Sequence, residues 1–105
     1  MIAVLIAGRL LQAPEPRQTK DGHSLVVASV RARLGKDGTE TWQIQARDRA
    51  AQAALMRLAA GDFLAVQGVP TTRSATIKGE QIIQRVLFAE TVLPLKPAGG
   101  VDAAL

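Results

Sequence analysis

The chain has 105 residues, the size of one domain, so we expect a single core and no second catalytic module. Thirteen Lys and Arg against nine Asp and Glu give a net charge of +4, and nine of the thirteen are Arg, which binds phosphate bidentately and stacks on bases. A polyanionic partner is one explanation of this charge, and a basic protein without one is the other. The absence of cysteine excludes disulfides and thiolate metal sites and fits a cytoplasmic protein.

Two apolar runs near the N terminus, 2–11 and 23–34, are rich in aliphatic and β-branched residues and are predicted to be strands. The first run is interrupted by an arginine and is too short to span a bilayer, so no membrane contact is expected. The connector between the runs, 13–22, is predicted to be a turn. It ends in Asp21-Gly22, a hairpin signal, and its two prolines exclude a regular ladder at their own positions.

A third strand and a helix follow a glycine-flanked turn at 35–38. The run 39–47 alternates polar and apolar residues and is predicted to be the third strand. The segment 48–61 is predicted to be a helix, capped by Asp48 and closed by Gly61 in a left-handed conformation. Its expected buried face consists of Ala51, Ala54, Leu55 and Leu58.

The C-terminal part is predicted to contain two further strands. The run 62–68 forms the fourth strand, the polar and basic segment 69–81 is interpreted as a long loop, and 82–95 forms the fifth strand. Residues 96–105 are small and are predicted to form a flexible C-terminal tail. The predicted domain therefore covers residues 1–95.

This order of elements predicts an all-β fold with one short helix. Five strands with a helix between the third and the fourth are the elements of an OB-fold, a small five-stranded Greek-key barrel. In OB-folds the second and third strands commonly bind an oligonucleotide or oligosaccharide.

Several motifs resemble those of the bacterial single-stranded-DNA-binding (SSB) protein family. The opening "VLIAGRLLQAPEPRQTKDG", the "TETW" of the third strand and "VQG" followed by Thr72-Arg73 occur in the family's order, over roughly residues 2–95. The resemblance implies an OB-fold, association of protomers, and sequence-tolerant binding of single-stranded DNA in a basic groove with stacking aromatics. A more distant resemblance is to the primosomal replication protein PriB, which also lacks the family's acidic tail but has no comparable helix.

The chain departs from the family at its aromatic positions and at its C terminus. Trp42 matches a stacking tryptophan, but Asp48 and Ala75 stand where the resemblance implies two further aromatics. The chain ends in "AGGVDAAL" instead of an acidic tail with an aromatic tip, so recruitment of replication or recombination proteins through such a tail is not expected.

Trp42 has two interpretations that the sequence leaves open. Alternation along the third strand places it on the same side as Ile44 and Ala46, which predicts packing in the core. The resemblance implies the DNA-facing side and base stacking. A β-bulge would reconcile the second interpretation with the pattern.

Five cationic residues are predicted to contact DNA phosphates. Arg31 and Arg33 alternate with Val30 and Ala32, so both guanidinium groups are expected on one outward face of the second strand. The other three predicted phosphate contacts lie around the second long loop and are Arg73, Lys78 and Arg85. Solvated surface side chains are the alternative for each residue taken alone.

No catalytic or cofactor chemistry is predicted. The single histidine lacks visible partners, the carboxylates lie mostly at turns and element ends, and no phosphate-binding loop of the Walker type occurs, so we expect no enzyme, no metal site and no cofactor.

The predicted function is sequence-tolerant binding of single-stranded DNA by a homo-oligomer, dimer or tetramer, in DNA replication, repair or recombination. RNA remains an alternative ligand. The alternative function is a protein–protein adaptor in a replication, primosome or mobile-element complex, with weak or no DNA binding.

Overall fold

The computed structural model describes residues 2–34, 36 and 38–95. Within them the chain forms six strands and one helix, in the order β1 (Val4–Leu10), β2 (Glu15–Gln18), β3 (Ser24–Leu34), β4 (Gly38–Ala46), α1 (Arg49–Met56), β5 (Phe63–Ile77) and β6 (Glu80–Leu95). The predicted tail at 96–105 and much of the predicted turn at 35–38 lie outside the described residues.

Five of the strands close into a barrel. Strand β1 pairs with β5 along one edge and with β3 at the C-terminal end of its other edge, and the order between them is β5-β6-β4-β3. All these pairs are antiparallel except β4 with β6. The predicted five-stranded Greek-key barrel, with its helix between the third and fourth barrel strands, is therefore confirmed.

Aliphatic side chains from every barrel strand fill the interior. Leu10, Val30, Ile44, Leu64 and Leu87 are each fully buried. Burying one such side chain contributes about 2 kcal/mol. Helix α1 adds the face predicted from its spacing: Ala51 and Leu55 are buried, and Ala54 and Leu58 pack against the same core.

Both ends of the helix follow from local sequence. The side chain of Asp48 accepts hydrogen bonds from the backbone N–H groups of Ala50 and Ala51, at 3.1 and 3.3 Å, which confirms the predicted cap. The helix ends at Met56, earlier than predicted. Gly61 has the expected positive φ of 92° and donates its N–H to the carbonyl of Leu10 at 2.7 Å, so the segment after the helix is tied to β1.

Part of the N-terminal connector is a strand, so the prediction of a turn throughout 13–22 was wrong. Strand β2 pairs with β3, and Pro16 lies opposite Val26. Because β2 is the edge strand of the sheet, a proline can be accommodated there with no second neighbour to receive an N–H. The Asp21-Gly22 turn follows as predicted, with Gly22 at a φ of 85°.

The segment predicted as a long loop, 69–81, is a β-hairpin. Strand β5 continues to Ile77 and β6 starts at Glu80, and the two remain paired in register up to this turn. The prediction was wrong because the hairpin's far half carries mostly polar, exposed side chains and so lacks the apolar alternation of a half-buried strand. Backbone hydrogen bonds between β5 and β6 hold this half of the hairpin together.

The turn of this hairpin consists of Lys78 and Gly79, both with positive φ, 53° and 82°. Two such residues match a type I′ turn, in which Asn-Gly is favoured and a lysine is strained. We expect Lys78→Asn to raise the free energy of unfolding by about 0.5–1 kcal/mol, measured by urea denaturation. Lys20→Asn, at a turn residue without positive φ, is the control. A lower midpoint for Lys78→Asn would contradict the expectation.

Candidate nucleic-acid interface

The outward face of β3 carries the two arginines predicted for it. Arg31 and Arg33 are exposed. Val30, which precedes them, and Ala32, which lies between them, are buried in the barrel. Both guanidinium groups therefore lie on one side of the sheet, as alternation predicts.

A groove forms on this outward face where β1 bridges β3 and β5. We call it the arginine groove and define it by Arg9, Arg31, Arg33 and Phe63; its volume is about 600 Å³. Its remaining lining residues are Ala7, Gly8, Leu11, Thr39 and Leu95. None of these lining residues is acidic, and neither ion pair of the described residues involves the three arginines. The groove is therefore a concentrated positive surface.

Arg9 contacts an aromatic ring in this groove. Its Cζ atom is 4.8 Å from the centroid of Phe63, within the range of a cation–π contact. The two residues are direct partners across the β1–β5 ladder, and on its other edge β1 places Arg9 opposite Arg31. Strand register thus assembles the groove from three strands that are far apart in sequence.

A second, smaller recess of about 320 Å³ lies where the hairpin meets the outward face of β4. Arg73 donates from Nη2 to Oε1 of Gln43 at 2.6 Å and from Nε to Oε1 of Gln84 at 3.4 Å. The residues that line the recess are Ser29, Thr41, Gln43, Ile82, Ile83, Gln84 and Arg85. These contacts orient Arg73 with neutral amides and leave its charge uncompensated.

The groove and the recess share one surface. Arg31, in the groove, is the cross-strand partner of Thr41, which lines the recess. Gln43, the bonding partner of Arg73, follows Thr41 on the same face of β4. Cationic side chains therefore stand at both ends of a continuous polar strip across β3 and β4.

Trp42 lies on the inward side of β4, in agreement with the alternation and not with the outward position that the resemblance implies. It is partly buried and packs against the core beside the buried Ile44, and Thr41 and Gln43 occupy the neighbouring outward positions. No bulge interrupts the β3–β4 register around Trp42, so its side chain lies on the opposite side of β4 from Thr41 and Gln43, and its base stacking stays a prediction.

Arg85 lies outside the arginine groove but lines the recess. It pairs with Trp42 across β4 and β6, and its Nε is 3.1 Å from Oε2 of Glu40. The other carboxylate oxygen of Glu40 accepts a hydrogen bond of 2.7 Å from Nε1 of Trp42. One carboxylate, whose side chain is only 18% exposed, thus anchors both residues and compensates the charge of Arg85.

We expect Glu40→Ala to lower the free energy of unfolding by about 1–3 kcal/mol, because it leaves the partly buried indole N–H without its acceptor. Emission of Trp42, the only tryptophan, should shift to longer wavelength as water reaches the ring. Glu90→Ala, at an exposed position of β6, is the control. Unchanged stability and emission would show that Glu40 does not hold the indole.

The remaining predicted residue, Lys78, stands at the tip of the hairpin, five residues beyond Arg73. It is exposed and extends the cationic surface away from the barrel without reaching the groove. Ala75, where the resemblance implies an aromatic, lies opposite Ile82 in this hairpin. Asp48, at the other such position, is occupied by its capping role.

Sequence reasoning missed Arg9 and Phe63 as members of the arginine groove. Alternation in β1 contains part of the signal, since Leu5, Ala7 and Arg9 share its exposed side. The pairing of Arg9 with Phe63 depends on a ladder between strands more than fifty residues apart, which periodicity does not encode.

Other site types receive no support from the described residues. Residues 2–34, 36 and 38–95 contain no group of three or more His, Asp or Glu that could hold a metal ion. In the same part of the chain, no helix has the length and apolar character needed to cross a membrane.

Comparison with known proteins agrees with the architecture. The structure is similar to that of a small single-stranded DNA-binding protein from Streptomyces coelicolor, with a TM-score of 0.72 and 22% identity over 90% of this chain and 94% of that one. The fold is an OB-fold of the SSB type. A second similar structure is Plasmodium falciparum SSB in complex with single-stranded DNA, with a TM-score of 0.69 and 18% identity over 91% of this chain and 96% of that one. No protein-family model and no curated protein matches the sequence.

Proposed function

We propose that the protein binds single-stranded DNA, without sequence preference and without chemistry, across the outward face of β3 and β4. The observation that carries the proposal is the arginine groove, a set of exposed guanidinium groups with no acidic residue among the described lining residues, on an SSB-type OB-fold. Such a protein would serve DNA replication, repair or recombination.

Phosphate neutralisation supplies most of the affinity in this proposal. Arg31 and Arg33 contact phosphates at one end of the strip and Arg73 at the other, and each contact releases counterions from the strand. Three such contacts give a slope of about −2 for the logarithm of affinity against that of salt concentration, since single strands contribute roughly 0.7 per phosphate. Lys78 extends this path along the hairpin.

Trp42 is left out of the proposed contact surface, and Arg85, which lines the recess, is expected to contribute little. The charge of Arg85 is compensated by Glu40, and the indole of Trp42 is held inward by the same carboxylate. Strong stacking aromatics are therefore scarce, and we expect weaker binding than a surface with several base platforms would give.

The test is a titration of labelled oligo-dT by anisotropy at low and moderate salt, with Trp42 emission recorded in the same samples. We expect binding that weakens steeply with salt while Trp42 emission changes little. Oligo-rU of the same length measures the preference between DNA and RNA, which a phosphate-based mode separates poorly. Absence of oligo-dT binding at low salt would refute the proposal.

We further propose that a second copy of the chain covers the N-terminal half of β1. Residues Val4–Ala7 pair with β5 only. Leu5, within this range, is 66% exposed, and Ile2, just before it, is 78% exposed. An unpaired apolar edge of this kind favours pairing with a second, identical edge. Leu5→Glu should shift the sedimentation coefficient toward the monomer, whereas a monomeric wild type would contradict the proposal.

One observation favours the adaptor function. Ile77, Ile82 and Ile83 on the hairpin are 45%, 37% and 69% exposed, which suits a protein partner better than a polyanion. If the oligo-dT titration fails, this hairpin is the surface on which to seek an adaptor's partner.

A further inference from the structure

Arg9 lies beside other positive charges in the arginine groove. Arg9 and Arg31 are direct cross-strand partners, so two positive charges face each other across the β1–β3 ladder. Like charges in this relation destabilise a sheet. Arg33 adds a third positive charge on the same face, and none of the described residues that line the groove is acidic. An anionic ligand would relieve this repulsion.

The second observation is the contact of Arg9 with the aromatic ring of Phe63. The Cζ atom of Arg9 is 4.8 Å from the ring centroid of Phe63, and Arg9 is an exposed residue that lines the groove. Guanidinium planes accept stacked nucleobases, as aromatic rings do. The cation–π contact with Phe63 favours a position of the guanidinium group over this ring, at the groove.

We propose that Arg9, supported by Phe63, is a nucleobase-stacking platform of the arginine groove. A nucleotide seated there places its base on the guanidinium of Arg9 and its phosphate against Arg31 and Arg33. The groove, at about 600 Å³, has room for one nucleotide with its base. This inference rests on the proposed function, and it compensates in part for the aromatics absent at Asp48 and Ala75.

The test separates stacking from charge with Arg9→Lys, which keeps the positive charge and removes the planar group. Affinity is measured for oligo-dT and for an abasic strand of equal length, which keeps the phosphates and lacks the bases. Arg49→Lys, on the exposed start of helix α1, makes the same change outside the groove. Phe63→Leu keeps an apolar side chain and removes the ring behind Arg9.

We expect Arg9→Lys to weaken oligo-dT binding by about fivefold or more, with an unchanged salt slope and no loss on the abasic strand. Phe63→Leu should weaken oligo-dT binding in the same direction, and Arg49→Lys should match the wild type. Equal affinities of wild type and Arg9→Lys for oligo-dT, or an equal loss on both strands, would overturn the platform while leaving the proposed function intact. A wild type that binds neither strand would refute the proposed function itself.

Discussion

Reversing the two groove charges, Arg31→Glu with Arg33→Glu, should lower the affinity for oligo-dT by roughly 100-fold at low salt. Both side chains are exposed and unpaired with acids among the described residues, so the change replaces two phosphate contacts by two repulsive charges. The salt slope should fall in magnitude by about 1.4, the share of two phosphates on a single strand. Anisotropy at several salt concentrations measures both quantities.

The matched control reverses two arginines at the ends of helix α1, Arg49→Glu at its first residue with Arg57→Glu at its C-cap, both exposed and outside the groove. Net charge changes by the same amount in the two double variants. If affinity depended on net charge alone, the control would lose as much as the groove variant. Equal losses, or an unchanged affinity in the groove variant, would count against the arginine groove as the binding surface.

The second large effect is expected at Gly8, where β1 crosses β3. A Cβ atom built on Gly8 would overlap the backbone carbonyl oxygen of Arg31, and Gly8 is itself in register with Ala32 in the ladder that closes the barrel. The backbone of Gly8 or of Arg31 could move apart only by breaking the β1–β3 ladder. We therefore expect Gly8→Ala to lower the free energy of unfolding by about 3 kcal/mol, measured by urea or thermal denaturation.

Ala7→Val is the control for this substitution. It enlarges the adjacent residue of the same strand by two methyl groups, but Ala7 is exposed on the outward face. Its effect on stability should stay within about 0.5 kcal/mol. A Gly8→Ala variant as stable as Ala7→Val would mean that β1 and β3 do not approach each other as closely as this barrel requires.

Patterns of nearest neighbours accounted for much of the fold. Alternation predicted the facing of β3, the spacing of Ala51 and Leu55 predicted the buried side of α1, and Asp48 predicted where the helix begins. Each of these features depends on residues within a few positions of one another, so the sequence contains the relevant information locally.

Predictions failed where stability comes from pairing instead of burial. The far half of the β5–β6 hairpin and strand β2 have mostly exposed side chains, so no apolar alternation marks them. Backbone hydrogen bonds to a partner strand make both regular. The polar, Thr-rich segment 69–78, which lies between Gly68 and Gly79, therefore has the sequence pattern of a loop.

Local sequence patterns likewise predict one part of the candidate site, and the pairing of distant strands decides the other part. By itself, the sequence determined the excess of arginine and the outward facing of Arg31 and Arg33, because composition and a period of two are local properties; for Trp42 it left the inward and the outward position open. Only the tertiary structure decided that Arg9 lies on Phe63 opposite Arg31, and that Glu40 joins Trp42 to Arg85. Those contacts follow from the register of strands distant in the chain, which is set when the whole barrel closes around its core.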